Sequence, residues 1–228
     1  MAFSISSYIC QEDIGNARFN KLMTYYDKKS KEAIFLSKEI KYEDELYGIF
    51  EVAKEFKEMS TIYSIEKGRI IAREEERPSW KHSSVFINKD SKTIYLRGQG
   101  TWAIDIISNR LFGDSAKILA GEIDIKKLEV DIRDKGKFTF NGTSFEDKDG
   151  TKVSINNPAG LNPATSKYIK DAADTEKTTL KIRIQKDELN FGVTIYPNGK
   201  ITFGGRATDE GSILGIFIKV YNELREYT

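Results

Sequence analysis

Hydrophobic and polar positions alternate over several short runs of the chain and follow a helical step in others. Between residues 178 and 184, apolar Leu180, Ile182 and Ile184 alternate with Thr179, Lys181 and Arg183. This is the period-two pattern of a strand with one buried face. Residues 191–196 alternate in the same way, and after Pro197-Asn198-Gly199 the run 200–203 returns. Proline fixes one turn dihedral and Asn-Gly tolerates positive φ, so these two runs predict a hairpin. The final segment places Ile213, Phe217, Val220, Tyr221 and Leu224 on one helical face, widened by Leu214 and Ile218. That predicts a long helix packed on a sheet.

The first half repeats the theme. Residues 33–36 predict a strand, and residues 43–59, with Leu46, Ile49, Phe50, Ala53 and Phe56 at steps of three and four, predict a helix. Two β-rich runs around Glu66-Lys67-Gly68, and two more (84–88 and 93–97) around Lys89-Asp90-Ser91, predict successive hairpins. Gly98 and Gly100 close the second, and a helix follows with Trp102, Ala103, Ile106, Ile107 and Leu111 on one face. The resulting order is strand, helix, four strands, helix. Residues 117–132 carry strand-like runs, and 136–157 predict a further hairpin turning at 147–150. Residues 156–165 read as a loop, followed by a short helix over 166–173.

The halves share a unit. Ile94, Leu96 and Gly98 correspond to Ile201, Phe203 and Gly205, each trio closing a hairpin that leads into an amphipathic helix. The run from Leu180 to Leu224 resembles the end of a repeat of the TATA-box-binding-protein family. Its parts are a strand at 180–184, a second at 193–196 ending in an aromatic, and the turn Asn198-Gly199-Lys200. A third strand closes on Gly205, the helix start is Thr208-Asp209-Glu210, and the long helix covers 213–224. The resemblance implies an α+β fold of two such halves (1–115 and 116–228, with an insertion near 136–165), a curved antiparallel sheet and long helices packed on one face.

Alternation gives the sheet two unlike faces. If Leu180, Ile182, Ile184, Val193, Ile195, Ile201 and Phe203 meet the helices, then Lys181, Arg183, Thr194, Tyr196, Lys200 and Thr202 share the other face. The resemblance implies that this face binds double-stranded DNA in the minor groove, with Tyr196 at the place of an intercalating Phe. Lys177 stands where the family carries a second wedge. The expected function is therefore non-catalytic nucleic-acid binding, in a regulatory or host–parasite conflict role. Two other readings stay open: a protein-interaction module that keeps the fold without the DNA contact, and a solvated polar face of the kind any one-sided antiparallel sheet shows.

Composition narrows this further. The chain has 228 residues with 36 Lys and Arg against 35 Asp and Glu, a net charge of +1. That balance disfavours bulk electrostatic binding of nucleic acid but permits a local basic face. One Cys and one His exclude an internal disulfide and a Cys/His zinc site, and no metal or cofactor is expected. Cys10 reads as a small buried residue. No apolar run reaches the length of a membrane span and the first residues lack the pattern of a signal peptide, so a cytoplasmic protein without membrane contact is expected. The strongest enzymatic pattern is Asp114 with Asp124-Ile125-Lys126 on an expected strand, which fits an Mg²⁺-dependent nuclease, a distant third reading; ordinary alternating strand charge is the better explanation. Residues 74–76 (three Glu) read as a solvated edge, and His82 has no visible catalytic partner.

Overall fold

A computed structural model describes residues 3–66, 68–98, 100–135, 138–146, 151–156, 177–186, 189–204 and 210–228. The expected turn at 147–150, the 157–165 part of the loop, the helix at 166–173 and the helix start at 208–209 lie outside these residues. The first half contains β1 (Phe3–Cys10), α1 (Gly15–Asn20), β2 (Thr24–Asp27), β3 (Glu32–Tyr42), β4 (Glu45–Glu66), β5 (Arg69–Ile87), β6 (Thr93–Arg97) and α2 (Thr101–Phe112). The second contains β7 (Ile118–Ala120), α3 (Ile125–Lys135), β8 (Thr139–Glu146), β9 (Lys152–Asn156), β10 (Lys177–Lys186), β11 (Leu189–Ile195), β12 (Lys200–Gly204) and α4 (Glu210–Leu224).

The described strands form one antiparallel sheet in the order β2-β3-β4-β5-β6-β1-β12-β11-β10-β8-β9, with β7 beside β12 on the same edge of β1. Both faces of this sheet are buried in part, against different helices. On one face Ile5, Ile49, Phe86, Tyr95, Leu180, Ile182, Val193, Ile195, Ile201 and Phe203 form a core with α3 and α4. On the other, Tyr8, Phe50, Val52, Val85, Ile94 and Leu96 form a core with α1 and α2. At the centre, α4 sets Phe217 against Tyr95 and Phe203, with ring centroids 5.0 and 6.1 Å apart.

The expected architecture of long helices packed on one face is overturned. Among the described residues strand exceeds helix by 56% to 25%, and α2, α3 and α4 have only 12, 11 and 15 residues. They also lie on opposite faces. Strands β6 and β12 flank β1, but Leu96 pairs with Ser6 whereas Ile201 pairs with Ile5. The two units are thus one residue out of phase along β1, and a one-residue shift sends a strand's apolar set to the other face. The corresponding residues Ile94/Leu96 and Ile201/Phe203 therefore meet α2 and α4 on opposite sides.

Two element assignments are also corrected. The helix expected at 43–59 is instead a turn at 43–44 and the first part of β4, which runs for 22 residues from Glu45. Tyr47, Ile49 and Ala53 alternate with Phe50 and Val52, and all five are buried. A strand covered on both faces loses alternation, and its apolar positions then mimic a helical step. The strand-like run near 125–132 is helix α3. Ile125, Leu128 and Ile132 face the core, and the Lys127 N–H donates to Asp124 Oδ1 at 2.9 Å, capping the first turn. Strands β1 and β2 and helix α1 were absent from the sequence-based order.

Beyond Lys54 and Ser84, β4 and β5 pair only with each other among the described residues. They leave the sheet as a two-stranded ribbon.

Candidate nucleic-acid interface

The polar face expected over the C-terminal strands is present, and three strands assemble it. Alternation in β10, β11 and β12 sends Leu180, Ile182, Val193, Ile195, Ile201 and Phe203 into the core, each no more than 3% exposed. The intervening residues must then face the other way. Lys181 pairs with Thr194, which pairs with Thr202, which pairs with Ser4 of β1. A second row runs beside it: the Tyr196 N–H donates to Lys200 O at 2.9 Å, and Lys200 pairs with Ser6. Arg183 pairs with Gly192, and Gly192 with Gly204, giving a third row. All six expected residues therefore share one face. Arg183 is exposed and Lys181, Thr194, Tyr196, Lys200 and Thr202 are half-buried.

The third row contains the feature that the sequence reading missed. A Cβ placed on Gly192 would meet nothing within 4 Å, and one on Gly204 only Gly192 O at 3.6 Å. The two glycines are thus not required by packing. They leave bare backbone beside the Arg183 side chain, as strand glycines do where another molecule approaches closely. Gly192 inside β11 and Gly204 at the end of β12 were the available signal.

The cations on this face have internal contacts. Lys181 Nζ donates to Asn156 Oδ1 at 2.6 Å. Lys200 Nζ lies 5.2 Å from the centroid of the Tyr196 ring, a cation–π contact. Tyr196 therefore has an ammonium over its ring and is not a free wedge. Lys177 opens β10 opposite Phe145 of β8. Where the sheet continues past β1, Leu96 and Val85 occupy the same face beneath α2, so α2 bounds the polar strip on that side.

The enzymatic alternatives lose their geometry. Asp114 Oδ1 accepts the Ala116 N–H at 2.8 Å and Asp124 caps α3, where Lys126 is a helical residue. The strand-borne acid-x-Lys arrangement does not form. Glu75 pairs with Arg77 along β5 and Glu76 pairs with Lys57 across the ribbon, and His82 is exposed opposite Ala53. Cys10 is 1% exposed, and burial pushes its thiol up to about 12, against a smaller opposing effect of the Lys92 ammonium. A thiol held neutral in this way is a poor nucleophile. Among the described residues no helix is long and apolar enough to cross a membrane.

The fold and face together define an antiparallel-sheet protein with a polar, weakly basic strip of three strands. No family model matches the chain, and no curated protein matches it.

Proposed function

We propose that the chain is a non-catalytic nucleic-acid-binding protein, and that the strip formed by β10, β11 and β12 is its contact surface. The observation that carries this reading is the row Arg183–Gly192–Gly204 beside the row Lys181–Thr194–Thr202. A guanidinium can meet a phosphate in bidentate fashion, threonine hydroxyls and backbone supply positioning contacts, and bare glycine backbone admits a bulky ligand. Lys181, Arg183 and Lys200 provide three cations in a chain of net charge +1. Binding is then local and modest rather than driven by a whole-molecule field.

Titration of duplex DNA against salt tests this. Three phosphate contacts give a slope of log affinity on log salt of about −2.7, or roughly a 40-fold loss between 50 and 200 mM. The double variant Lys181→Glu, Arg183→Glu should lose measurable binding. Affinity that is independent of salt and unchanged in the variant rejects the proposal.

A second reading is supported by the internal contacts of Lys181 and Lys200, which among the described residues occupy two of the three cations of the strip. A strip so neutralised also suits a protein ligand. Capture of a defined protein that the double variant fails to capture, with no DNA bound by the wild type, supports this reading instead.

A further inference from the structure

Where the β3–β4 and β5–β6 turns meet the end of α4, the structure has a cleft of about 460 Å³, within the range of small-molecule sites. It lies on the α3 and α4 side of the sheet, opposite the face of the polar strip. Strands β3, β4, β5, β6 and β1 are consecutive in the sheet, so their ends gather there. The floor of the cleft is aromatic and apolar: Tyr47, Tyr95, Ile218 and Tyr221 are each no more than 7% exposed.

Charges stand at its rim, segregated by sign. The two turns supply three carboxylates, Glu43 and Glu45 from the first and Asp90 from the second. On the helix side, Arg225 directly follows the last residue of α4. Glu45 Oε2 accepts the Tyr47 hydroxyl and, at 3.1 Å, the Asn88 amide. Those bonds fix the carboxylate and leave its Oε1 without one among the described residues. The Arg225 guanidinium forms no ion pair among the described residues, yet it reaches the same phenol as Glu45. Burial raises the pKa of Tyr95, Tyr221 and the Glu45 carboxylate raise it further, and Arg225 opposes them. A carboxylate and a guanidinium thus act on one phenol without meeting each other.

The rim also carries unreturned local costs. Glu43 has a φ of +54°, a left-handed conformation that a glutamate rarely adopts and that clusters at ligand sites. The Tyr42 ring is pressed against α4, where a Cβ on Gly215 would approach its Cε2 to 2.9 Å. Its hydroxyl is shielded from solvent and by distance and angle bonds to no described residue, although burial and then the nearby Glu43 carboxylate raise its pKa.

We propose that this cleft binds a free α-amino acid, with its ammonium group on Glu45, its carboxylate on Arg225 and its side chain against the tyrosine floor. A plain carboxylic acid would meet Arg225 but also face three carboxylates. A plain amine would meet the acids and leave a guanidinium opposing it. One zwitterion satisfies both sides, because guanidinium takes carboxylate in bidentate fashion and a carboxylate accepts from ammonium in a charge-assisted bond. The Tyr42 hydroxyl then gains a polar neighbour.

Ligand-observed NMR titration of the full chain with each of the common L-amino acids should show binding of at least one. Its matching amine, lacking the carboxylate, and its matching acid, lacking the amino group, should each bind roughly tenfold more weakly, the worth of one charge-assisted hydrogen bond. Arg225→Gln should abolish the preference for the amino acid over the amine, and Glu45→Gln the preference over the acid. Both positions are exposed, and circular dichroism should stay unchanged in each variant. Binding of none of the amino acids overturns the proposal. An amine or acid that binds as well as the amino acid, or preferences that survive both substitutions, overturns it equally.

Discussion

At Gly199 one added methyl group has nowhere to go. Its φ is +73°, and a Cβ there would stand 1.9 Å from Gly121 O. Gly199→Ala should therefore cost about 2–4 kcal/mol, combining backbone strain with displacement of the chain around Gly121; urea denaturation followed by circular dichroism measures it. The turn itself was legible, because Pro-Asn-Gly has one ready conformation. The contact with Gly121 was not, since nothing local in the sequence joins two segments so far apart. Gly192 and Gly204 escaped notice for the same reason, their meaning residing in a pairing across strands. Cys10 gives a pH prediction. Its folded pKa, raised to about 12 from an ordinary 9.0, means that the unfolded chain loses this proton first. Its contribution to stability is thus fully present below pH 9 and is lost as pH rises toward 12. The buried phenols of Tyr8, Tyr47 and Tyr95, also raised by burial, act in the same direction from a higher starting pH. Cys10→Ala should flatten the earliest part of the alkaline decline seen in denaturation midpoints between pH 8 and 10.

Elements with one buried side were the readable ones. Strand β10 alternates because its partners cover only one face, and α2 shows its stripe because solvent covers the rest. Strand β4 deceived the pattern because α2 and α4 together bury both faces of its first half. Gly48 within it carries the same message: a Cβ would approach ring atoms of Phe19 and Phe50 to 2.8 Å. Helix α3 was misread because Leu128, Val130 and Ile132 alternate as well as recur helically. Its true face is fixed by Leu128 (0% exposed) and by Asp131, whose Oδ2 accepts the Tyr227 hydroxyl at 3.0 Å. Leu128→Ala should destabilise the chain by about 2–5 kcal/mol through transfer and cavity costs. Because α3 lies behind the sheet, the same variant should keep the DNA affinity of the folded protein unchanged. Thermal melts and binding isotherms on one preparation separate the two effects.

Across the whole molecule, the hairpin–helix unit was visible twice in the sequence, but the side of the sheet taken by each helix was not. That side depends on whether β12 meets β1 at odd or even residues, a single register choice with no local signature. The polar strip survives the correction because it follows from alternation within β10 to β12 alone. Its boundary at α2 is new, and it exists only because the first unit turned its helix to that side. The same central strand governs how the chain reaches this state. Strand β1 precedes the other described strands in the chain; one of its edges is closed by β6, whereas the other receives β7 and, last, β12, with Phe3 meeting Phe203. The middle of the sheet is thus its last part to be completed, across a loop of about two hundred residues whose closure entropy must be overcome before any contact rewards it. Until residues 200–203 arrive, β1 holds an open edge at the heart of the molecule. A nascent or truncated chain is then a far better template for misassembly than the finished one.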